Sequence, residues 1–73
     1  MSREEFKQFI LSIGFKYNGY YVYKEFVIYL YYNDYDFHNG SEWYDNNDIN
    51  DLRLIENYFK RELRSIKLKN ILG

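Results

Sequence analysis

Phe6, Phe9, Ile10 and Ile13 recur at the spacing that lines one face of an α-helix. Ser2, followed three residues later by Glu5, has the spacing of a capping box, and Gly14 stands where a helix closes on a glycine. The pattern predicts a helix over residues 3–13. From residue 15 to 46 the period changes, and Tyr, Val, Ile and Phe dominate, residues that fit a pleated surface. Three dipeptides can turn this stretch: Asn18-Gly19, Lys24-Glu25 and Asn39-Gly40. The two Asn-Gly pairs are strong hairpin signals, whereas neither Lys24 nor Glu25 favours positive φ. The preferred reading has strands near 17–23 and 26–37 and a short one near 41–46. The alternative turns at Asn18-Gly19 and runs 20–32 as a single strand, long by ordinary standards. In both, alternation puts Phe26, Ile28 and Leu30 on one face of the sheet and Val27, Tyr29 and Tyr31 on the other. The aliphatic face should meet the helices, which leaves the Tyr-rich face uncovered.

Toward the C-terminus the helical period returns. Leu52, Ile55, Phe59, Leu63 and Ile66 form one stripe, and Arg53, Lys60, Arg64 and Lys67 form a second beside it. Asp48, Asn50 or Asp51 can supply the N-cap. With no proline to interrupt it, this helix is expected to be the longest element, to reach about residue 69 and to fray by Gly73. The expected fold is therefore α+β, a small two-layer single domain over residues 1–73. Its order is helix, antiparallel β-meander of two or three strands, long C-terminal helix, with both helices on one face of the sheet.

Composition sharpens this picture. Ten Tyr, six Phe and one Trp among 73 residues give ample surface to bury, which argues against disorder. The absence of Cys excludes a disulfide framework, thiolate zinc sites and a cysteine nucleophile. The net charge of −1 hides a segregation. Residues 34–51 carry six acids and no Lys or Arg, whereas residues 52–73 carry six basic and two acidic side chains. The polar, acidic N-terminus is unlike a signal peptide, and the apolar run Phe26–Tyr32 is far short of the ~20 residues that span a bilayer. A cytoplasmic protein without membrane contact is expected. Residue types with AT-rich codons (Phe, Tyr, Met, Ile, Asn, Lys) fill 38 of 73 positions. That bias suggests an AT-rich bacterial genome, or a phage or mobile element living in one.

Four constellations could carry chemistry. Asp34, Asp36 and His38 share one face of a strand and, with Glu42, could hold a divalent cation. A calcium loop counted from Asp34 fails, because Asn39 and Asp45 occupy the places of its Gly and Glu. A polar hairpin end accounts for the same residues, so no metal and no cofactor is assigned. Catalysis is not expected, since a two-layer domain this small has little depth for a pocket; His38, Asp36 and Glu42 would be the candidates. The basic stripe Arg53, Lys60, Arg64 and Lys67 could follow a phosphate backbone, but a pI near 5.7 is unlike most nucleic-acid-binding domains. The fourth is the tyrosine face: Tyr29 and Tyr31, with Tyr20 or Tyr21 and Tyr35 or Tyr44 nearby. Tyr supplies large contact area at low entropic cost, and monomers rarely expose such a patch. Trp43 reads either as an interface anchor or as a plug over the junction of the first helix and the sheet.

These features point to a non-enzymatic binding protein, of the kind a phage or mobile element would encode to inhibit or modulate a host protein or nucleoprotein complex such as a nuclease or anti-phage defence complex. Asp34, Asp36, Glu42 and Asp45 would steer it onto a basic surface, and Tyr29, Tyr31, Tyr35, Trp43 and Tyr44 would supply contact area. Pairing of two copies is a further expectation, because small domains are marginal alone and the segment Phe26–Tyr32 has the character of an aggregation-prone strand. The alternatives are a nucleic-acid-binding regulator using the basic helix face and a dimeric sponge for a nucleotide signal.

Overall fold

The computed structural model describes residues 1–72, with side chains through Ile66. Helix α1 (Arg3–Ile13) has the predicted bounds for the predicted reasons. Ser2 Oγ accepts from the Glu5 N–H at 3.1 Å, and Glu5 Oε1 accepts from the Ser2 N–H at 2.9 Å. Gly14 ends the helix at φ 135°, its N–H directed at the Ile10 and Leu11 carbonyls. Phe6, Ile10 and Ile13 are buried beneath it.

The expected two or three strands are five: β1 (Lys16–Tyr17), β2 (Tyr21–Tyr23), β3 (Phe26–Leu30), β4 (Asp34–His38) and β5 (Trp43–Asp48). They form one antiparallel sheet in chain order. All three dipeptides turn the chain, so the strand expected at 17–23 is split at Asn18-Gly19. A fourth turn, at Tyr32-Asn33, splits the strand expected at 26–37. There the Tyr31 N–H donates to the Asp34 carbonyl at 2.8 Å, and the Ile49 N–H donates to the Asn33 carbonyl at 3.1 Å. Length supplies a physical reason for the split. A twelve-residue strand would run about 40 Å, beyond the 35 Å longest dimension of the molecule. The tight turn at Lys24-Glu25 places Lys24 at φ 54°, a conformation most side chains disfavour.

The single C-terminal helix expected from periodicity is two, α2 (Arg53–Tyr58) and α3 (Lys60–Leu72). The axis breaks at Phe59, with φ −122° and ψ 36°. Hydrogen bonds from Phe59 to Ile55 and from Leu63 to Phe59 persist across the break at 3.0 and 2.9 Å. Asn57, Tyr58 and Phe59 are all modest helix formers. The fully buried Phe59 ring meets Phe15, Phe26 and Phe37 edge-on, with centroids at 5.4, 4.7 and 6.0 Å. The expected N-cap also moves. Leu52 occupies it without a side-chain bond, while Asp51 Oδ1 accepts from the Arg53 N–H at 3.2 Å and Asp48 Oδ1 from the Asn50 N–H at 2.8 Å.

Tyr21, Ile28, Tyr35 and Phe37 on the sheet pack against Phe6, Ile10, Phe15, Ile55 and Phe59, forming one core. Both helical segments thus cover the same face. The predicted α+β class and antiparallel pairing hold; the strand number and the continuity of the last helix do not.

Candidate functional site: the open face of the sheet

The register decides which side chains reach the uncovered face. Val22, Val27, His38 and Trp43 lie in one row across β2–β5, and Tyr29 and Asp36 face each other in the next. The rings on this side touch one another. Tyr29 stacks on Trp43 with centroids 5.4 Å apart and planes within 15°. Tyr20, from the first turn, closes on Tyr29 at 5.5 Å, and His38 lies 4.7 Å from Trp43. Tyr20 is 40% exposed, Tyr29 38%, Tyr31 48% and Trp43 47%. The expectation that Tyr29 and Tyr31 share an uncovered face is met. Trp43 is on it too, so it is no plug over the first helix.

A β-bulge shapes the far end. The β4–β5 register shifts between Tyr35 and Phe37, and Asn46 takes φ 59°. Asp36 fills the irregularity: its Oδ1 accepts from the Asn46 N–H and its Oδ2 from the Tyr31 hydroxyl, both at 2.9 Å. That hydrogen bond, then burial and the charges of Asp36, Asp34 and Asp45, raises the Tyr31 phenol above its usual pKa. Asp45 and Glu42 are exposed beside the bulge and in the preceding loop. Asp34 is half-buried at the start of β4, opposite Asp48. The loop is folded by Asn39, whose Oδ1 accepts from the Ser41 and Glu42 N–H groups at 2.8 and 2.7 Å.

Two of the expected contact residues belong elsewhere. Tyr35 is wholly buried on the helix side, its ring 4.7 Å from Phe6 and its hydroxyl donating to the Asp51 carbonyl at 3.2 Å. Burial, then the Asp51 charge, pushes its phenol up to about 12. Tyr44 pairs with Phe37 on the same side; its hydroxyl lies 3.3 Å from that of Tyr58 and donates to Glu42 Oε2 at 3.4 Å. The hydrogen bond to Tyr58, then burial, raises the Tyr44 phenol to about 12. Alternation explains both: Tyr35 and Phe37 share a face that Asp34, Asp36 and His38 do not.

Asp34, Asp36 and His38 do share the open face, yet among the described residues no group of three His, Cys, Asp or Glu could hold a metal ion. Asp36 is engaged by Tyr31 and Asn46, and His38 Nδ1 accepts from the Gly40 N–H at 3.2 Å. The basic stripe is interrupted. Arg53 is clamped by Asp51, with Nε and Nη2 at 3.0 and 2.8 Å from its two oxygens. Those hydrogen bonds hold the Asp51 carboxyl down at about 2 and raise the guanidinium further. Lys60 and Arg64 are exposed on α3 beyond the Phe59 break; the side chain of Lys67 lies outside the described residues, as does Gly73. No helix among the described residues is long and apolar enough to cross a membrane.

Periodicity missed the His38–Trp43 contact and left Tyr20 undecided against Tyr21. The Asn18-Gly19 turn was the available signal for Tyr20, since it starts a new strand one residue later. Comparison of the chain with protein-family models, curated proteins and solved structures finds no match.

Proposed function

We propose that this is a non-enzymatic binding protein that engages a partner protein through the open face of its sheet. The partner is a host protein or nucleoprotein complex with a basic surface, such as a nuclease or defence complex met by a phage- or mobile-element-encoded chain. The observation that carries this reading is the contiguous exposed aromatic surface of Tyr20, Tyr29 and Trp43, with Tyr31 exposed nearby, on the side without helices. Aromatic residues, Trp and Tyr above all, dominate the energetics of protein interfaces. Asp45 is exposed on the side of Tyr31, and Glu42, next to Trp43 in the chain, is exposed at the rim with its carboxylate turned toward Tyr44. A surface rich in Arg or Lys therefore complements this end of the patch and is steered toward it. Arginine side chains would also stack on the Trp43 and Tyr29 rings.

The nucleic-acid reading has less support, because Arg53 is already paired with Asp51. Four forms of the chain separate the readings: parent, Y29A/W43A, E42K/D45K and K60A/R64A. Each is immobilised and incubated with lysate of a bacterium from an AT-rich lineage, and captured species are identified by mass. A protein with a basic surface should be retained by the parent and K60A/R64A, lost by Y29A/W43A and weakened by E42K/D45K. Capture that survives Y29A/W43A, or that depends on Lys60 and Arg64 and yields nucleic acid, refutes the proposal. Unchanged circular dichroism of each variant shows that the fold is kept.

A further inference from the structure

A small pocket opens where the first turn of α1 meets the β1–β2 and β3–β4 turns. It encloses about 240 Å³ and is lined in part by Arg3, Tyr17, Gly19, Tyr20, Tyr29 and Tyr31. Among the described residues Arg3 is its only cation. Its Nε donates to the Tyr31 carbonyl at 2.8 Å, which fixes the guanidinium at the wall. Among the described residues Arg3 enters no ion pair, in contrast to Arg53. With Nε engaged, the Nη1/Nη2 edge of the planar fork remains, with no carboxylate opposite among the described residues. Such a fork matches the paired oxygens of a carboxylate or phosphate.

Most of the remaining wall is aromatic, with Gly19 and Leu30 completing it. Tyr20 leans on Tyr29 at 5.5 Å and 57°, and Tyr17 leans on Tyr21 at 5.0 Å and 56°. Tilted pairs such as these present ring faces to a flat guest. The Tyr31 hydroxyl is committed to Asp36, so Tyr31 contributes its ring and carbonyl. Volume limits the guest, since drug-sized ligands occupy about 300–1,000 Å³. One ring fits; a dinucleotide does not.

We propose that this pocket binds a small oxyanion bearing a single flat ring, with the oxyanion on the Arg3 guanidinium and the ring against Tyr20 and Tyr17. The pocket shares Tyr20, Tyr29 and Tyr31 with the rim of the open face, but its ligand chemistry is set by Arg3 and does not depend on the partner-binding reading. A pyrimidine nucleoside monophosphate and an aromatic carboxylate both supply this chemistry.

Amide chemical shifts of the ¹⁵N-labelled chain, titrated with UMP and with 4-hydroxybenzoate, test the proposal; uridine and inorganic phosphate serve as part-probes. At least one ring-bearing oxyanion should give saturable shifts at Gly19, Tyr20 and Tyr31, with a Kd of about 10 µM to 1 mM for a ligand of this size. Response to UMP alone assigns the site to nucleotides, and response to 4-hydroxybenzoate alone assigns it to aromatic acids. R3Q should weaken binding by about tenfold or more through loss of a charge-assisted hydrogen-bonded pair, and R3K should recover part of that loss. Y20A, at an exposed turn position, should weaken binding without touching α1. Absence of saturable shifts with both ligands, phosphate binding as tightly as UMP, or R3Q and Y20A binding like the parent would each overturn it.

Discussion

Replacing Gly14 by Ala tests how α1 is locked to the sheet. At φ 135° a side chain is strained whatever the space around it, and a Cβ built there meets Tyr23 Cε1 at 2.6 Å and Cδ1 at 2.9 Å. The Tyr23 ring has little room to retreat. It packs 5.6 Å from Phe15 and 6.0 Å from Phe59, and its hydroxyl donates to Glu62 Oε2 at 2.9 Å. The backbone conformation alone should cost about 1–3 kcal/mol. Displacing Tyr23 should add about 1 kcal/mol for its hydrogen bond and a comparable amount for lost ring packing. The sum is about 3–5 kcal/mol, a large share of the roughly 4–11 kcal/mol expected of a chain this long. Urea unfolding followed by Trp43 fluorescence and far-ultraviolet dichroism measures it, and the midpoint should fall by about 2 M or more. In a Y23A background the same substitution should cost only the backbone part, so the two changes are non-additive. A G14A variant as stable as the parent, or strict additivity with Y23A, would refute the lock.

Lys24→Gly should raise the melting temperature by a few degrees, about 0.5–1 kcal/mol, because φ 54° is relieved. The substitution also removes a long ion pair, from exposed Lys24 to half-buried Glu62 at 3.9 Å, and the Lys24 contact with the Tyr23 ring, which offset part of the gain; a lower melting temperature would show that these contacts matter more than the turn. Tyr35 predicts alkaline behaviour, since its phenol sits near 12 when folded and near ~10 when unfolded. The unfolded chain loses that proton first, so the contribution is complete below about pH 10 and disappears as pH rises toward 12. Urea midpoints measured between about pH 9 and 11.5 should fall less steeply for Y35F than for the parent; parallel slopes would refute the assignment.

Local signals carried α1 completely, because the Ser2–Glu5 box, the apolar stripe and Gly14 all act within the helix they delimit. The β3 faces were legible for the same reason: alternation needs no knowledge of neighbouring strands. The Tyr32-Asn33 turn was not, since neither residue takes the positive φ that marks a hairpin. What fixes it is tertiary, the burial of Tyr35 beside Phe6 and the Ile49 bond to Asn33. The break at Phe59 is likewise invisible to periodicity, because it follows from the ring's position among Phe15, Phe26 and Phe37 rather than from a helix-breaking residue. Of the candidate contact residues, Tyr29 and Tyr31 were placed by parity, whereas Trp43 stood between anchor and plug until its pairing with His38 put it on the open face. Tyr35 and Tyr44 failed because the acidic segment was read as one surface, although its alternate residues face opposite ways.

An exposed aromatic sheet is a hazard unless its association is directed, and here the edges and the face are treated differently. At one edge β1 is only two residues long, too short to template another strand. At the other, β5 carries the bulge at Asn46 and the acids Asp45 and Asp48, and bulges and charge both discourage edge-to-edge pairing. The face has no such defence. Tyr29 is held between Tyr20 and Trp43, and Trp43 between Tyr29 and His38. Rings already ordered against one another lose little further rotamer freedom when a partner covers them. Edge pairing is thus blocked by backbone shape and charge, while face contact is prepared by packing. That difference is what the Y29A/W43A and E42K/D45K variants divide: the first removes the prepared surface, the second only the charge that orients its approach.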